Sequence, residues 1–286
     1  MPSEFRDSAP SSNTGKRLVV STQQSSLMVY ELNAHALNND PIMHVREAHC
    51  LCGEAVPVWI TAFNPNNTNI IISGGDDCSL RLWDIRTGPS DASGAVSRNT
   101  KEHTAGVTSA QWHPLDEHLF LTGSYDGAAR LWDARAIQRP LNTINTSGGV
   151  WRAKWWINPC QEKKKIAGGN ESVFELSQET ETETETTKGQ TNEWKQHLAL
   201  ACMHAGSGIF GFGMGSSAKG FIESCSTLPS RIGRHYQHSD VEGGHLAYGL
   251  SILRENVHES TGKSSFIAAS CSFYDDLVQI WETNSA

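Results

Sequence analysis

Three residues in two short segments could carry acyl-transfer chemistry. Cys202 and His204 lie in Ala201-Cys-Met-His-Ala-Gly206, and Arg152 ends Ser147-Gly-Gly-Val-Trp-Arg152. A thiol attacks once a base takes its proton, histidine is such a base near neutral pH, and a guanidinium pairs with carboxylate. Alternation along a strand puts 202 and 204 on one face if both remain in it. Cys271 and Ser272 are further options, and no Gly-x-Ser-x-Gly nucleophile elbow is present.

Other constellations read as structural. His49, Cys50 and Cys52 lie close enough for a metal, but a closed zinc site needs a second ligand pair and none is evident. Gly211 to Gly220 is glycine-rich like a phosphate loop, yet no βαβ unit surrounds it and Lys219 is not followed by Ser or Thr. Ser216-x-x-Lys219 matches a serine-hydrolase fragment without that class's other motifs. The sequence implies no organic cofactor and no metal.

These residues sit in an internal repeat. Ser73-Gly-Gly-Asp-Asp-Cys-Ser-Leu-Arg-Leu-Trp83-Asp84 aligns without gaps on Thr122-Gly-Ser-Tyr-Asp-Gly-Ala-Ala-Arg-Leu-Trp132-Asp133. A third copy runs from Cys271 to Glu282. In each, an aspartate (Asp77, Asp126, Asp275) stands six residues before a tryptophan (Trp83, Trp132, Trp281). Each copy reads as a strand, a polar turn and an alternating strand. Upstream strands, Val58 to Phe63 and Val107 to Trp112, are each closed by a proline, which cannot continue a ladder.

The copies resemble WD repeats, each of which builds a four-stranded propeller blade. The resemblance implies a hydrogen-bonded set inside the blade, made of a histidine, a hydroxyl, the turn aspartate and the tryptophan. His103, Thr122, Asp126 and Trp132 fill one set, and His49, Ser73, Asp77 and Trp83 a second. In the last copy, with Asp275 and Trp281, Cys271 stands in the hydroxyl place. On this reading the His103–Asp126 pair is structural rather than catalytic, because the repeat reproduces it from blade to blade.

Weaker blades follow. Leu18 to Thr22 and Ser26 to Leu32 read as the second and third strands of a blade whose first is missing. Another blade runs through Gly148–Trp155, Leu198–His204 and Gly208–Phe212, and a last one starts near Leu246. The fold class is therefore all-β: a WD-repeat propeller of four recognisable blades plus a partial one, in a family expected to close with seven. Residues 1–15 read as a disordered tail and 16–286 as the propeller, with disordered insertions near 160–195 and 213–240. The first of these carries Glu179, Glu181, Glu183 and Glu185, like charges with little apolar content.

The formal charge of −8 disfavours a sequence-independent grip on nucleic acid. No apolar run of membrane-spanning length and no secretory signal is read, and the seven scattered cysteines fit reduced thiols. A cytoplasmic location is the expectation, with Lys163-Lys164-Lys165 as a solvated charge run or, as the minor reading, a nuclear signal.

Four segments are not shared by ordinary WD repeats: Trp59-Ile-Thr-Ala-Phe63, Ser147 to Arg152, Ala201 to Gly206 and Cys271-Ser-Phe-Tyr-Asp275. Together they resemble the WD-repeat diphthine methyl ester hydrolases of diphthamide biosynthesis, from about Leu18 to Glu282, with the N-terminal blades of that family lacking. The resemblance implies removal of a methyl ester from a modified histidine of elongation factor 2, the protein partner. His204 is then the candidate base, Cys202 the nucleophile and Arg152 the carboxylate partner. The alternative is a non-catalytic propeller that docks partner proteins.

Overall fold

Alternating apolar residues and tight polar turns build antiparallel sheets. The computed structural model describes residues 16–32, 40–157, 196–214, 220–227, 247–257, 264–272 and 278–284. The first sheet holds β1 (Lys16–Ser21), β2 (Leu27–Leu32) and β3 (Met43–Val45). A small hairpin, β4 (Cys50–Leu51) and β5 (Glu54–Ala55), follows it. Blade 2 is β6 (Val58–Phe63), β7 (Ile70–Gly75), β8 (Leu80–Asp84) and β9 (Ser97–Asn99). Blade 3 is β10 (Val107–Trp112), β11 (Leu119–Ser124), β12 (Ala128–Asp133) and β13 (Asn142–Asn145). Blade 4 is β14 (Arg152–Ile157), β15 (Gln196–Ala201), β16 (Ser207–Met214) and β17 (Gly220–Thr227). Blade 5 is β18 (Ala247–Val257), β19 (Ser264–Ser272) and β20 (Val278–Asn284). These are the sheets of an all-β WD-repeat propeller, four blades and a partial first one.

The core is not one mass but a layer between each pair of neighbouring blades. Leu27, Val29 and Val45 of the first sheet pack on Val58, Ile71 and Trp83 of blade 2. Ile72, Leu80 and Leu82 meet Trp112, Phe120 and Trp132 of blade 3. Leu121 and Leu131 meet Leu198, Leu200 and Phe212 of blade 4, and Ala199, Ala201 and Ile209 meet Leu250 and Phe266 of blade 5. A blade therefore needs both neighbours, since each face of its sheet is half of a different core layer.

Inside blade 2 the four-residue set is present and buried. Trp83 Nε1 donates to Ser73 Oγ at 2.8 Å, Ser73 Oγ is 2.7 Å from His49 Nε2, and His49 Nδ1 is 2.7 Å from Asp77. An indole nitrogen can only donate, so the serine hydroxyl donates in turn to Nε2, which leaves Nδ1–H to donate to the carboxylate. Blade 3 repeats the set with a difference. Trp132 donates to Thr122 at 2.8 Å and Thr122 is 3.1 Å from His103, but His103 Nδ1 stands 3.7 Å from Asp126. The Arg130 guanidinium bridges that gap, 2.9 Å from the ring nitrogen and 2.8 Å from the carboxylate.

Two expectations change. Part of the 213–240 insertion is strand: β17 is the fourth strand of blade 4 and pairs with β16 from Gly208↔Thr227 to Met214↔Gly220. In blade 5, Trp281 lies opposite Ala268 as Trp83 lies opposite Ile71, which brings Ser270, not Cys271, level with Ser73. The last hairpin is one residue longer than the gapless spacing assumed, and cross-strand pairing decides the register. Asp275, the tail 1–15 and the segment 160–195 lie outside the described residues.

Candidate active site on the rim of the inner strands

Strands β6, β10, β14 and β18 are the first of their blades, and three of them begin with a bulge. The register slips between Val58 and Ile60, between Val107 and Ser109, and between Ala247 and Gly249. The extra residue is Trp59, Thr108 and Tyr248 respectively. In blade 4 the corresponding residue is Trp151, just ahead of the Arg152↔Ala201 pair, with its N–H on the Ala201 carbonyl at 2.8 Å. A bulge bends the strand and re-aims one side chain.

The result is an aromatic rim. Trp59 is 6.2 Å from Tyr125 and 6.0 Å from Trp151 between ring centroids. Tyr125 is 5.6 Å from Trp151, and Trp151 is 5.1 Å from Tyr248. Tyr125 comes from the turn between β11 and β12, at the position that Asp76 fills in blade 2 and Met203 in blade 4. Arg152 places its guanidinium 5.3 Å from the centre of the Trp151 ring and donates to the Trp151 carbonyl at 3.0 Å. It also lines a groove of about 330 Å³ along the inner strands with Arg17, Thr61, Gln111, Trp112 and Lys154.

The turn that holds His204 is equivalent to the turns that hold Asp77 and Asp126. Cys202 N–H bonds the Gly206 carbonyl as Gly75 N–H bonds that of Ser79. Counting from those bonds, His204 occupies the place of the tetrad aspartate. Its would-be partners are gone, because Leu200 replaces the hydroxyl and Phe210, opposite Leu198, replaces the tryptophan. A histidine there has no buried network to enter, and His204 is exposed at the rim.

Cys202 behaves differently. It is buried in the layer between blades 3 and 4. Burial pushes its thiol up to about 11, only partly offset by a hydrogen bond with Thr146. Strand β15 ends at Ala201, and Met203 takes a left-handed φ of 43° in the turn. Strand alternation therefore stops before 202, and Cys202 and His204 do not share a face. A thiol so rarely ionised is a poor nucleophile, so Cys202 is set aside from that role.

The glycines beside Arg152 explain why this segment departs from ordinary repeats. A Cβ on Gly148 would lie 2.5 Å from the Cys202 carbonyl oxygen, and one on Gly149 2.8 Å from Met203 Sδ. The His204 turn thus packs directly on the loop that leads to Trp151 and Arg152. Sequence reasoning singled out Arg152 and His204 as candidates but not the aromatic rim. The recurrence of Trp at 59 and 151 one residue after valine was the available signal. The His49-Cys50-x-Cys52 group is no metal site, since His49 is spent inside its tetrad, and no three-ligand cluster exists among the described residues.

Comparison with known proteins agrees with this architecture. The model of the WD40 family (WD domain, G-beta repeat) matches residues 28–84 and 94–133. Diphthine methyltransferase of Homo sapiens is 30% identical, over 78% of this chain and 55% of that protein. The diphthine methyltransferase homolog of Dictyostelium discoideum is 32% identical, over 78% of this chain and 49% of that protein. The chain thus spans about half the length of these curated relatives. Among solved structures, a chain of the mitotic checkpoint complex superposes with a TM-score of 0.53 at 14% identity, covering 93% of this chain and 59% of that one, a likeness of fold alone.

Proposed function

This chain belongs to the WD-repeat family of the diphthine methyltransferases, and from that premise we propose that it serves diphthamide biosynthesis by hydrolysing the methyl ester of diphthine methyl ester on elongation factor 2 to diphthine. The observation that carries the reading is His204, which stands in a structural aspartate's place, freed from any tetrad and exposed on the rim. Arg152 pairs with Ala201 across β14 and β15, at the end of blade 4 from which the His204 turn springs.

In this reading a water molecule is the nucleophile. His204 takes one proton as the water oxygen bonds to the ester carbonyl carbon, and the Arg152 guanidinium faces the developing oxyanion. The carbon–methoxy bond then breaks, His204 returns the proton to the departing methoxide, and methanol leaves. The acid product loses its proton to solvent, and Arg152 is left beside a carboxylate, the charge it pairs with best.

The test is an intact-peptide mass assay on elongation factor 2 carrying the methyl ester, with the human relative run in parallel and methanol measured. Loss of the methyl group with stoichiometric methanol supports hydrolysis. Loss without methanol points to methyl transfer to another acceptor. Retention by this chain while the human protein turns over removes the esterase activity from this chain. Binding of elongation factor 2 without turnover by either leaves a docking scaffold.

A further inference from the structure

The chain carries a formal charge of −8, yet the groove along its inner strands has the opposite sign. Arg17, Arg152 and Lys154 line it, and no carboxylate does. From Ile60 to Pro65 the groove follows β6 and the turn beyond it for about 16 Å, at roughly 3.3 Å per residue. A volume of about 330 Å³ spread over that length suits an extended chain rather than a compact ligand.

The β1 side of the groove points to polypeptide. Arg17, Leu18 and Val19 are consecutive, and consecutive side chains leave a strand on opposite faces, so what the three share toward the groove is the strand's edge. Strand β1 pairs with β2 and with no other described strand. Such an edge offers N–H and C=O groups to an added strand. On β14 the free edge is answered from within: Ala153 N–H donates to Ser109 Oγ at 3.1 Å and Trp155 N–H to Gln111 Oε1 at 3.0 Å. Charge selects the added strand. Arg17 Nη1 is anchored on Asn69 Oδ1 at 3.0 Å, but its Nε has no hydrogen-bond partner, with Glu31 3.9 Å away. Thr61 Oγ1 on β6 is also buried without a partner. Unmet buried donors are costly, and a carboxylate is the acceptor that answers them best.

We propose that this groove docks an extended acidic segment of a partner protein, which lies along β1 as an added strand and sets its carboxylates against Arg17, Lys154 and Arg152. Main-chain hydrogen bonds to β1 hold the segment, and the cations choose its sequence. The inference goes beyond ester hydrolysis and does not depend on it, since binding is read directly.

The probe is a short peptide of alternating glutamate and valine, with a form carrying lysine in place of glutamate beside it, titrated into the full chain and followed by calorimetry. Binding of the glutamate form about ten-fold tighter than the lysine form, and weakened by added salt, is expected. Methylating the peptide's backbone nitrogens removes N–H donors without changing charge. Applied to one alternating set of residues it should weaken binding about ten-fold, and applied to the other set it should have little effect. Lys154→Glu should weaken binding about ten-fold, whereas Arg139→Glu, the same charge change at an exposed site outside the groove, should stay within about two-fold. Lys154 is only half-buried, so the unfolding midpoint of both variants should stay near that of the parent. No binding by the full chain, equal affinity for the two peptides, equal losses at Lys154 and Arg139, or tolerance of methylation in both sets overturns the proposal. So does binding seen only in a chain lacking residues 1–15, which would assign the edge of β1 to this chain's own leading segment.

Discussion

His49 Nδ1 lies 2.7 Å from Asp77 Oδ1, with the two side chains 0% and 3% exposed. Asp77 also takes hydrogen bonds from Ser79 Oγ at 2.8 Å and from Arg81 at 3.2 Å. A buried carboxylate with this many donors is a keystone of its blade, and removing its main donor leaves a desolvated charge. His49→Ala should therefore cost about 1–3 kcal/mol in unfolding free energy, read by urea denaturation. His103→Ala should cost less, because Arg130 remains on Asp126 at 2.8 Å. Equal costs at the two sites would mean that the arginine bridge does not compensate.

The tetrads also set an acid limit. Burial holds His49 and His103 below the usual histidine range, only partly offset by Asp77 and Asp126. For the two aspartates, burial by itself would raise the pKa. Hydrogen bonds from His49 and Ser79 to Asp77, and the nearby His103 ring, the Thr104 N–H and the Arg130 guanidinium around Asp126, outweigh it and hold each at about 2. All four groups are depressed in the folded chain, so the unfolded chain binds more protons in each window. Stability should be complete above about pH 6.5, fall first through the histidine window, and fall again between about pH 4 and 2. A thermal midpoint that rises on acidification from pH 7 to 5 would contradict this.

Cys202 should be chemically silent. With its thiol pushed to about 11 by burial, it should resist alkylation at neutral pH while the exposed Cys52 and Cys271 react. Peptide mapping after a short iodoacetamide pulse reads this. Cys202→Ala should also leave methyl-ester hydrolysis within about two-fold, since water is the nucleophile proposed; a far larger loss would restore the thiol to the mechanism.

His204 is the converse case. His204→Ala should lower kcat for ester hydrolysis by about 100-fold or more, the range for a general base, with an unchanged unfolding midpoint. His204→Asp restores the tetrad's acid, but with Leu200 and Phe210 behind it there is no histidine or hydroxyl to receive it. Full activity in His204→Ala would rule out a base at 204, whereas activity recovered by His204→Asp would keep one, since a carboxylate can also take the proton.

Gly148→Ala tests the contact that joins the His204 turn to the Arg152 strand. The added methyl meets a backbone carbonyl oxygen at 2.5 Å, which cannot rotate away. A loss of about 1–3 kcal/mol is expected from such overpacking. Trp151 sits in the same loop, so its fluorescence should shift as well.

Much of this was legible in the residues alone. An aspartate six positions before a tryptophan, repeated with hydroxyls and histidines in phase, specified the blades. It did so because a buried carboxylate demands those donors wherever a blade is built. The same pattern fixed which His–Asp pairs are structural. Spacing could not show that the last hairpin is one residue longer, so the hydroxyl place fell on Cys271 when pairing gives it to Ser270. Likewise, alternation suggested a shared face for Cys202 and His204, but the strand ends between Ala201 and Cys202 and the turn sends one inward and the other out.

The sequence by itself thus determined the repeat, the tetrads and the four segments that break from it, since each follows from local periodicity and hydrogen-bonding need. Only the tertiary structure decided which of the unusual residues meet. Trp59, Tyr125, Trp151 and Tyr248 are far apart in the chain and belong to four different blades. They come together because equivalent bulges and one equivalent turn recur around neighbouring blades, a relation of register and packing that no single stretch of residues encodes.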